Sequence, residues 1–196
     1  MDLPFSQACE NNKSFILEVL LSAFRDRKQV LEIGSGTGQH SVFFAPNLAH
    51  LTWQCADLSC NLPGIRQWHT AAPSPNLLEP IEFDMEQPNW PDNFDAVFSA
   101  NTAHIMPWRL SQKMVTEVAQ KLPRKGVFVL YGPFNYEGKF TSESNARFDA
   151  FLKEQVPHQG LRDFEAIHTL ALEYGLELLQ DNAMPANNRC LVWQKI

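Results

Sequence analysis

Apolar positions recur along the chain with two different periods. Between residues 11 and 24, Ile16, Leu17, Leu20, Leu21 and Phe24 fall three and four apart, the spacing that lays one helix face on a core. Val30-Leu31-Glu32-Ile33 is instead a short apolar run with an acid inside it, the pattern of a buried strand. Three glycines follow, and Gln39-His40-Ser41-Val42-Phe43-Phe44 reads as a helix that Pro46 ends. Residues 51–55 make a second strand, leading to Asp57. Asn61 is placed to cap the next helix, with Pro63 in its first turn and Ile65 and Trp68 one turn apart. A short third strand covers 81–85, and Phe94-Asp95-Ala96-Val97-Phe98-Ser99 is the clearest later one.

The second half continues the alternation. Leu110, Met114, Val115, Val118 and Leu122 mark an amphipathic helix stopped by Pro123, and residues 126–131 form a continuous apolar strand. The segment from Gly132 to Gly160 exceeds the ~12–15 residues of an ordinary loop, so it is expected to carry function and structure of its own. Thr141 or Ser142 opens a helix there, with Phe148, Phe151 and Leu152 as its apolar face. A helix over 161–174 ends at Gly175, and residues 176–179 and 190–193 are two final strands joined through 184–188. Strands alternating with helices predict an α/β fold, a mostly parallel sheet with helices on both faces. No internal repeat or boundary interrupts it, so residues 1–196 read as a single domain.

Composition removes several classes of function. With 44% hydrophobic and 19% charged residues in 196, the chain can build a sizeable core. No apolar run approaches the ~20 residues of a membrane span. Met1-Asp2-Leu3-Pro4-Phe5 lacks the basic start and apolar stretch of a secretory leader. A net charge of −6 without any run of Lys or Arg argues against a nucleic acid partner. Cys9, Cys55, Cys60 and Cys190 show no C-x-x-C spacing and read as reduced thiols of a cytoplasmic protein. His40, His50, His69, His158 and His168 show no metal-ligand spacing, so no metal is expected.

Candidate chemistry begins at Gly34, Gly36 and Gly38. A strand, a glycine-rich turn and a helix start let the backbone pass close to a ligand. A dinucleotide fingerprint would need G-x-G-x-x-G, but Gln39 stands where the third glycine belongs. That disfavours a nicotinamide-dependent oxidoreductase. Asp57 lies about 20 residues beyond the loop, the distance at which an acid ending a second strand accepts hydrogen bonds from ribose hydroxyls. Asp84 and Met85, an acid beside an apolar residue at a third strand tip, are candidates for the exocyclic amine and face of adenine. Ala100-Asn101-Thr102-Ala103-His104 follows a buried strand, where the ligand-bearing edge of an open sheet lies. The polar run Glu10-Asn11-Asn12-Lys13 is a candidate to close over a bound cofactor.

The pattern Glu-x-Gly-x-Gly-x-Gly resembles the first motif of the class I S-adenosylmethionine-dependent methyltransferases. That resemblance implies a Rossmann-like class I methyltransferase fold, a seven-stranded sheet of order 3-2-1-4-5-7-6 with an antiparallel last strand. Position by position, Glu32, Gly34, Gly36 and Gly38 look like the cofactor loop, Asp57 like the ribose acid, and Asp84 and Met85 like the adenine pair. Asn101 falls where the superfamily lines the methionine moiety. Within the superfamily the chain resembles methyltransferase-like protein twenty-six, a family long catalogued as a domain of unknown function. Pro4-Phe5-Ser6, Gly132-Pro133-Phe134, residues 141–149, Arg162-Asp163-Phe164-Glu165 and Met184-Pro185-Ala186-Asn187-Asn188 carry that likeness. The Asn/Asp-Pro-Pro-Tyr/Phe motif of amino-group methylases is absent after the fourth strand, and no Pro-Cys pair offers a cysteine nucleophile.

The expected function is methyl transfer from S-adenosylmethionine to a small-molecule or protein acceptor. Such chemistry mainly needs a nucleophile held in line and water kept out. His104 is the candidate general base, because a histidine titrates near neutral pH. Tyr136, Asn145, Arg147 and Asn187 are the candidates to surround the acceptor. The alternative is a cofactor-binding module or partner subunit without catalysis of its own; turnover separates the two.

Overall fold

In a computed structural model, residues 3–196 are described. Met1 and Asp2, part of the stretch read as unlike a leader, lie outside the described residues. The chain divides into two compact units, one reaching Ser99 and one beginning at Ala100. The first holds α1 (Gln7–Ala23), β1 (Gln29–Ile33), α2 (Gln39–Asn47), β2 (Thr52–Asp57), α3 (Leu62–Ala71), β3 (Ile81–Glu82) and most of β4 (Ala96–Ala100). The second holds α4 (Trp108–Lys121), β5 (Val127–Gly132), β6 (Phe134–Asn135), α5 (Glu143–Gln155), β7 (Arg162–Asp163), α6 (Phe164–Glu173), β8 (Leu176–Met184) and β9 (Asn188–Lys195).

The main sheet has seven strands in the order β3-β2-β1-β4-β5-β9-β8, and β6 pairs with β7 in a small second sheet. With that pair set aside, the order is the one the resemblance implied. In the first unit β1 runs parallel to both β2 and β4, with Val30 opposite Trp53 and Ala96. In the second, β9 is antiparallel to both β5 and β8. Continuous apolar composition explains these strands: β5 is buried at every position, and β1 at every position after Gln29. Phe44, Trp53 and Phe98 meet ring to ring at 5.5–6.0 Å, so α2, β2 and β4 share one aromatic core beside β1.

Several boundaries differ from the sequence expectation. Helix α1 starts at Gln7, because the Ser6 hydroxyl accepts the Cys9 N–H and caps it there; the polar run at 10–13 is therefore inside the helix. Pro46 does not end α2, which carries it and runs one residue further. Asn61 gives α3 no side-chain cap; its amide donates to Asp57 instead, at 2.8 Å. The third strand stops at Glu82, and Asp84 lies in the turn beyond it. On α5, Phe148 and Phe151 are exposed, and the buried positions are Asn145, Asp149 and Leu152. Of the apolar face expected there, Leu152 is buried and Phe148 and Phe151 are not; the rest of the buried stripe is held by polar bonds.

Candidate functional site

At the carboxyl end of β1 the backbone turns through Gly34, Gly36 and Gly38, all at positive φ. Two of these glycines differ in what they face. A Cβ on Gly38 would lie 3.0 Å from the Ile65 Cα, so this glycine admits α3 against the loop. A Cβ on Gly36 would meet nothing within 4 Å. Space above a left-handed backbone position is what a close-lying ligand requires.

Asp57 holds the loop in this shape. Its carboxylate accepts the Gly36 N–H at 2.6 Å, the Leu58 N–H at 2.7 Å and the Asn61 amide at 2.8 Å. A carboxylate has about four acceptor positions, so one more donor completes it. Leu58, next in sequence, leaves its apolar side chain 45% exposed.

Glu32 is directed elsewhere. It is buried, and accepts the Trp53 indole N–H at 2.9 Å and the Cys55 thiol at 3.4 Å. Burial pushes its carboxyl up, and those two donors offset part of the shift. Glu32 therefore braces β1 against β2 below the loop. Asp84 is exposed and accepts the Glu86 N–H at 2.9 Å within its own turn, while Met85 is buried beside it.

An N-terminal strap lies across α2 and α3. The Gln39 carbonyl oxygen accepts the Ser6 N–H at 2.5 Å and the Thr37 hydroxyl at 3.0 Å, and its amide donates to Glu10 at 2.8 Å. Lys13 pairs with Glu10 and holds that carboxyl below the ordinary range. Asn12 bonds His40 at 2.7 Å. Pro4 accepts the Trp68 indole N–H at 2.7 Å, and a Cβ on Gly64 would strike its ring. Gln39, at the position a third glycine would occupy, is thus the anchor of the strap. Sequence reasoning marked the polar run but gave Ser6, Gln39 and His40 no part in holding it; Ser6-Gln7-Ala8-Cys9-Glu10 is an S-x-x-x-E pattern, one residue longer than the S-x-x-E of a capping box.

In the second unit, Asn101 takes a left-handed conformation (φ 57°) and its N–H bonds the Tyr131 carbonyl at 2.9 Å. The bare face of Gly132 looks onto the His104 ring and the Asn101 amide oxygen, so these three are brought together. His104 is buried, edge-on to Phe148 at 5.5 Å. Burial, aided by the Arg162 charge, lowers its pKa to about 4. Arg162 fixes the turn by donating to the Ala103 and Met106 carbonyls at 2.9 and 2.6 Å.

The acceptor candidates separate. Asn145 and Asn187 are joined: the Asn145 amide donates to the Asn187 carbonyl at 3.1 Å, and the Asn187 amide to the Ser144 hydroxyl at 3.2 Å. The Tyr136 hydroxyl donates to Asp181 at 2.9 Å, and burial with that carboxylate pushes its pKa well up. Arg147 stands on the surface beside Glu143. Among the described residues, no cluster of three or more His, Cys, Asp or Glu is arranged to hold a metal, and no helix is long and apolar enough to cross a membrane.

Residues 3–195 match the model of a family described as "Protein of unknown function (DUF938)". Among solved structures, the chain is similar to an O-methyltransferase family 2 protein from Planctomyces limnophilus DSM 3776 in complex with apigenin. The TM-score is 0.85 at 14% identity, over 96% of this chain and 58% of that one. It is also similar to the S-adenosylmethionine-dependent methyltransferase SibL in its apo form, with TM-score 0.81 and 15% identity over 96% and 55%. Human N-acetylserotonin methyltransferase in complex with SAM gives 0.75 and 14% over 92% and 54%. The chain spans little more than half the length of each. At such identities the likeness is one of fold, the Rossmann-like α/β fold of these methyltransferases.

Proposed function

The chain belongs to the DUF938 family, and we propose that it is an S-adenosylmethionine-dependent methyltransferase acting on a small-molecule or protein acceptor. One observation carries the reading: the open face of Gly36, on a loop whose backbone is tied to Asp57. The likeness to methyltransferase-like protein twenty-six agrees with it, and so do the free thiols with a cytoplasmic setting. The net charge of −6 favours an acceptor other than nucleic acid. Residues 1–196 are read as one methyltransferase domain.

The residues present fit the cofactor. Gly34, Gly36 and Gly38 offer bare backbone to its amino acid part and sugar, with Glu32 bracing them from below. Asp57 has an acceptor position for a ribose hydroxyl, and Leu58 with Met85 supplies apolar surface for the adenine ring. Asp84 is the acceptor for the exocyclic amine. Asn101 is assigned to the methionine end. When bound, S-adenosylmethionine supplies an activated methyl carbon.

His104 is uncharged at neutral pH, so its ring can take a proton from an acceptor hydroxyl or amine. A pKa of about 4 makes it a weak base, suited to an acceptor that loses its proton as the new bond forms. Asn145 and Asn187 close the acceptor side, with Tyr136 and Arg147 at its margins.

Calorimetry with S-adenosylmethionine and S-adenosylhomocysteine, with NADH as control, tests the reading. Micromolar binding of the first two and none of the third is expected. Absence of binding by either overturns the cofactor assignment. Binding without turnover on any acceptor favours the binding module or partner subunit.

A further inference from the structure

Strands β6 and β7 pair in parallel with Phe134 opposite Arg162 and Asn135 opposite Asp163. Residues paired across a ladder put their side chains on the same face, and the next pair along uses the other face. Phe134 and Arg162 therefore share one face; there Phe134 is buried and Arg162 grips the His104 turn. Asn135 and Asp163 stand side by side on the opposite face.

Each of those two side chains has a buried oxygen, Oδ1, without a hydrogen-bond partner; among the described residues no other side-chain polar atom is so placed. Buried acceptors are nearly always satisfied, because desolvation without a donor is costly. Two orphans on paired residues mark one place rather than two accidents. Asp163 is also the N-cap residue of α6, yet its side chain takes none of the helix's first N–H groups. The usual use of an aspartate at that position is forgone.

We infer that Asn135 and Asp163 bind an amino group of the methyl acceptor, a proposal that rests on the methyltransferase reading. Both orphan atoms are acceptors, so their ligand must bring donors. A carboxylate oxygen beside a neutral carbonyl oxygen suits two N–H bonds from one protonated amine, with the charges matched. Carboxylate and phosphate groups would face acceptors with acceptors. Two oxygens are too few for a metal ion, which takes at least four ligands. The strand that carries Asp163 meets the turn of the candidate base through its other face: Arg162 holds the Ala103 carbonyl at 2.9 Å, and the nearby Gly160 N–H bonds the His104 carbonyl at 3.0 Å. Tyr136 and Phe164, each next in sequence to one of the pair, stack at 5.0 Å and offer an aromatic surface nearby. The amine anchors the acceptor; a protonated nitrogen has no lone pair and is not the atom methylated.

Phenethylamine is the probe, compared with 2-phenylethanol and phenylacetate in calorimetry or saturation-transfer NMR, on the full chain with S-adenosylhomocysteine present. The amine should bind at least tenfold tighter than the alcohol, and the carboxylate not at all. Asp163→Asn keeps the shape of the residue and removes its charge, and should abolish the preference for the amine; Asn135→Leu should weaken it. Unchanged affinity for S-adenosylhomocysteine reports that both variants fold. Equal binding of amine and alcohol, or a preference that survives Asp163→Asn, overturns the proposal and leaves the orphan oxygens to water. Amine selectivity without any binding of S-adenosylmethionine would keep the amine site and remove the methyltransferase reading.

Discussion

The Gly36 N–H lies 2.6 Å from the Asp57 carboxylate, so the residue assigned to the ribose also shapes the loop assigned to the rest of the cofactor. On the proposed cofactor placement, binding and loop geometry are coupled through one side chain. Asp57→Ala removes the acceptor of three donors at once and frees the loop. S-adenosylhomocysteine affinity is expected to fall by about 1–3 kcal/mol, the worth of hydrogen bonds to a charged group. Calorimetry gives the value, and an unchanged affinity would reduce Asp57 to a turn residue.

Gly36 and Gly38 should respond in opposite ways. Alanine at Gly38 meets Ile65 backbone and is strained at φ +88°, so Gly38→Ala should lower stability by about 2–4 kcal/mol. Valine at Gly36 has free space, and its cost is mainly the left-handed conformation, about 1–2 kcal/mol. Its side chain fills the cradle, so Gly36→Val should abolish S-adenosylmethionine binding in a protein that still melts cooperatively. Thermal melts and calorimetry on both variants check the crossed pattern. Tight binding by Gly36→Val would displace the cofactor from this loop.

Two buried histidines make stability depend on pH. His40 and His104 each have a pKa lowered to about 4, chiefly by burial. Around His104 the nearby charge is Arg162; around His40 Glu10 raises the value and Lys13 lowers it. The unfolded chain binds protons near pH 6.5 and the folded chain does not until about 4. Stability is thus complete above 6.5 and is lost as pH falls toward 4, by about 3 kcal/mol for each histidine. Urea unfolding between pH 4 and 7.5 should show this slope, and His104→Gln should remove about half of it. A slope unaltered in that variant would mean His104 is charged in the fold.

Apolar strands alternating with helices made a mostly parallel sheet readable, while the order of its strands came from the resemblance and not from spacing. Asp57 and the alternating glycines stood out by spacing, but nothing in that spacing showed that the acid ties down the loop through the Gly36 N–H. Gln39 was noticed only for not being glycine, since nothing local reveals that its partners are Ser6 and Glu10. The orphaned pair Asn135 and Asp163 sits on two-residue strands 28 positions apart, too short to leave a periodic signal. Helix α5 was found by its spacing and its face only in part: Leu152 is buried as expected, but hydrophobicity also points to Phe148 and Phe151 while tertiary hydrogen bonds point to Asn145 and Asp149.

The buried Asp149 and exposed Phe151 of α5 yield a direct comparison of two substitutions. Asp149 is buried, and its carboxylate accepts the Leu161 N–H at 2.8 Å and the Lys153 ammonium at 2.7 Å. Gly160 passes so close that a Cβ there would lie 2.8 Å from the same carboxylate. Asp149→Leu would leave a buried N–H without a partner just before β7, at a cost of about 1–3 kcal/mol. Phe151 is 55% exposed, so Phe151→Ser should change stability by no more than about 0.5 kcal/mol. Judged by hydropathy alone, the ranking would be the reverse. Urea unfolding of the two variants decides between them: a larger loss from Phe151→Ser would mean that α5 packs its phenylalanines inward and that Asp149 faces water.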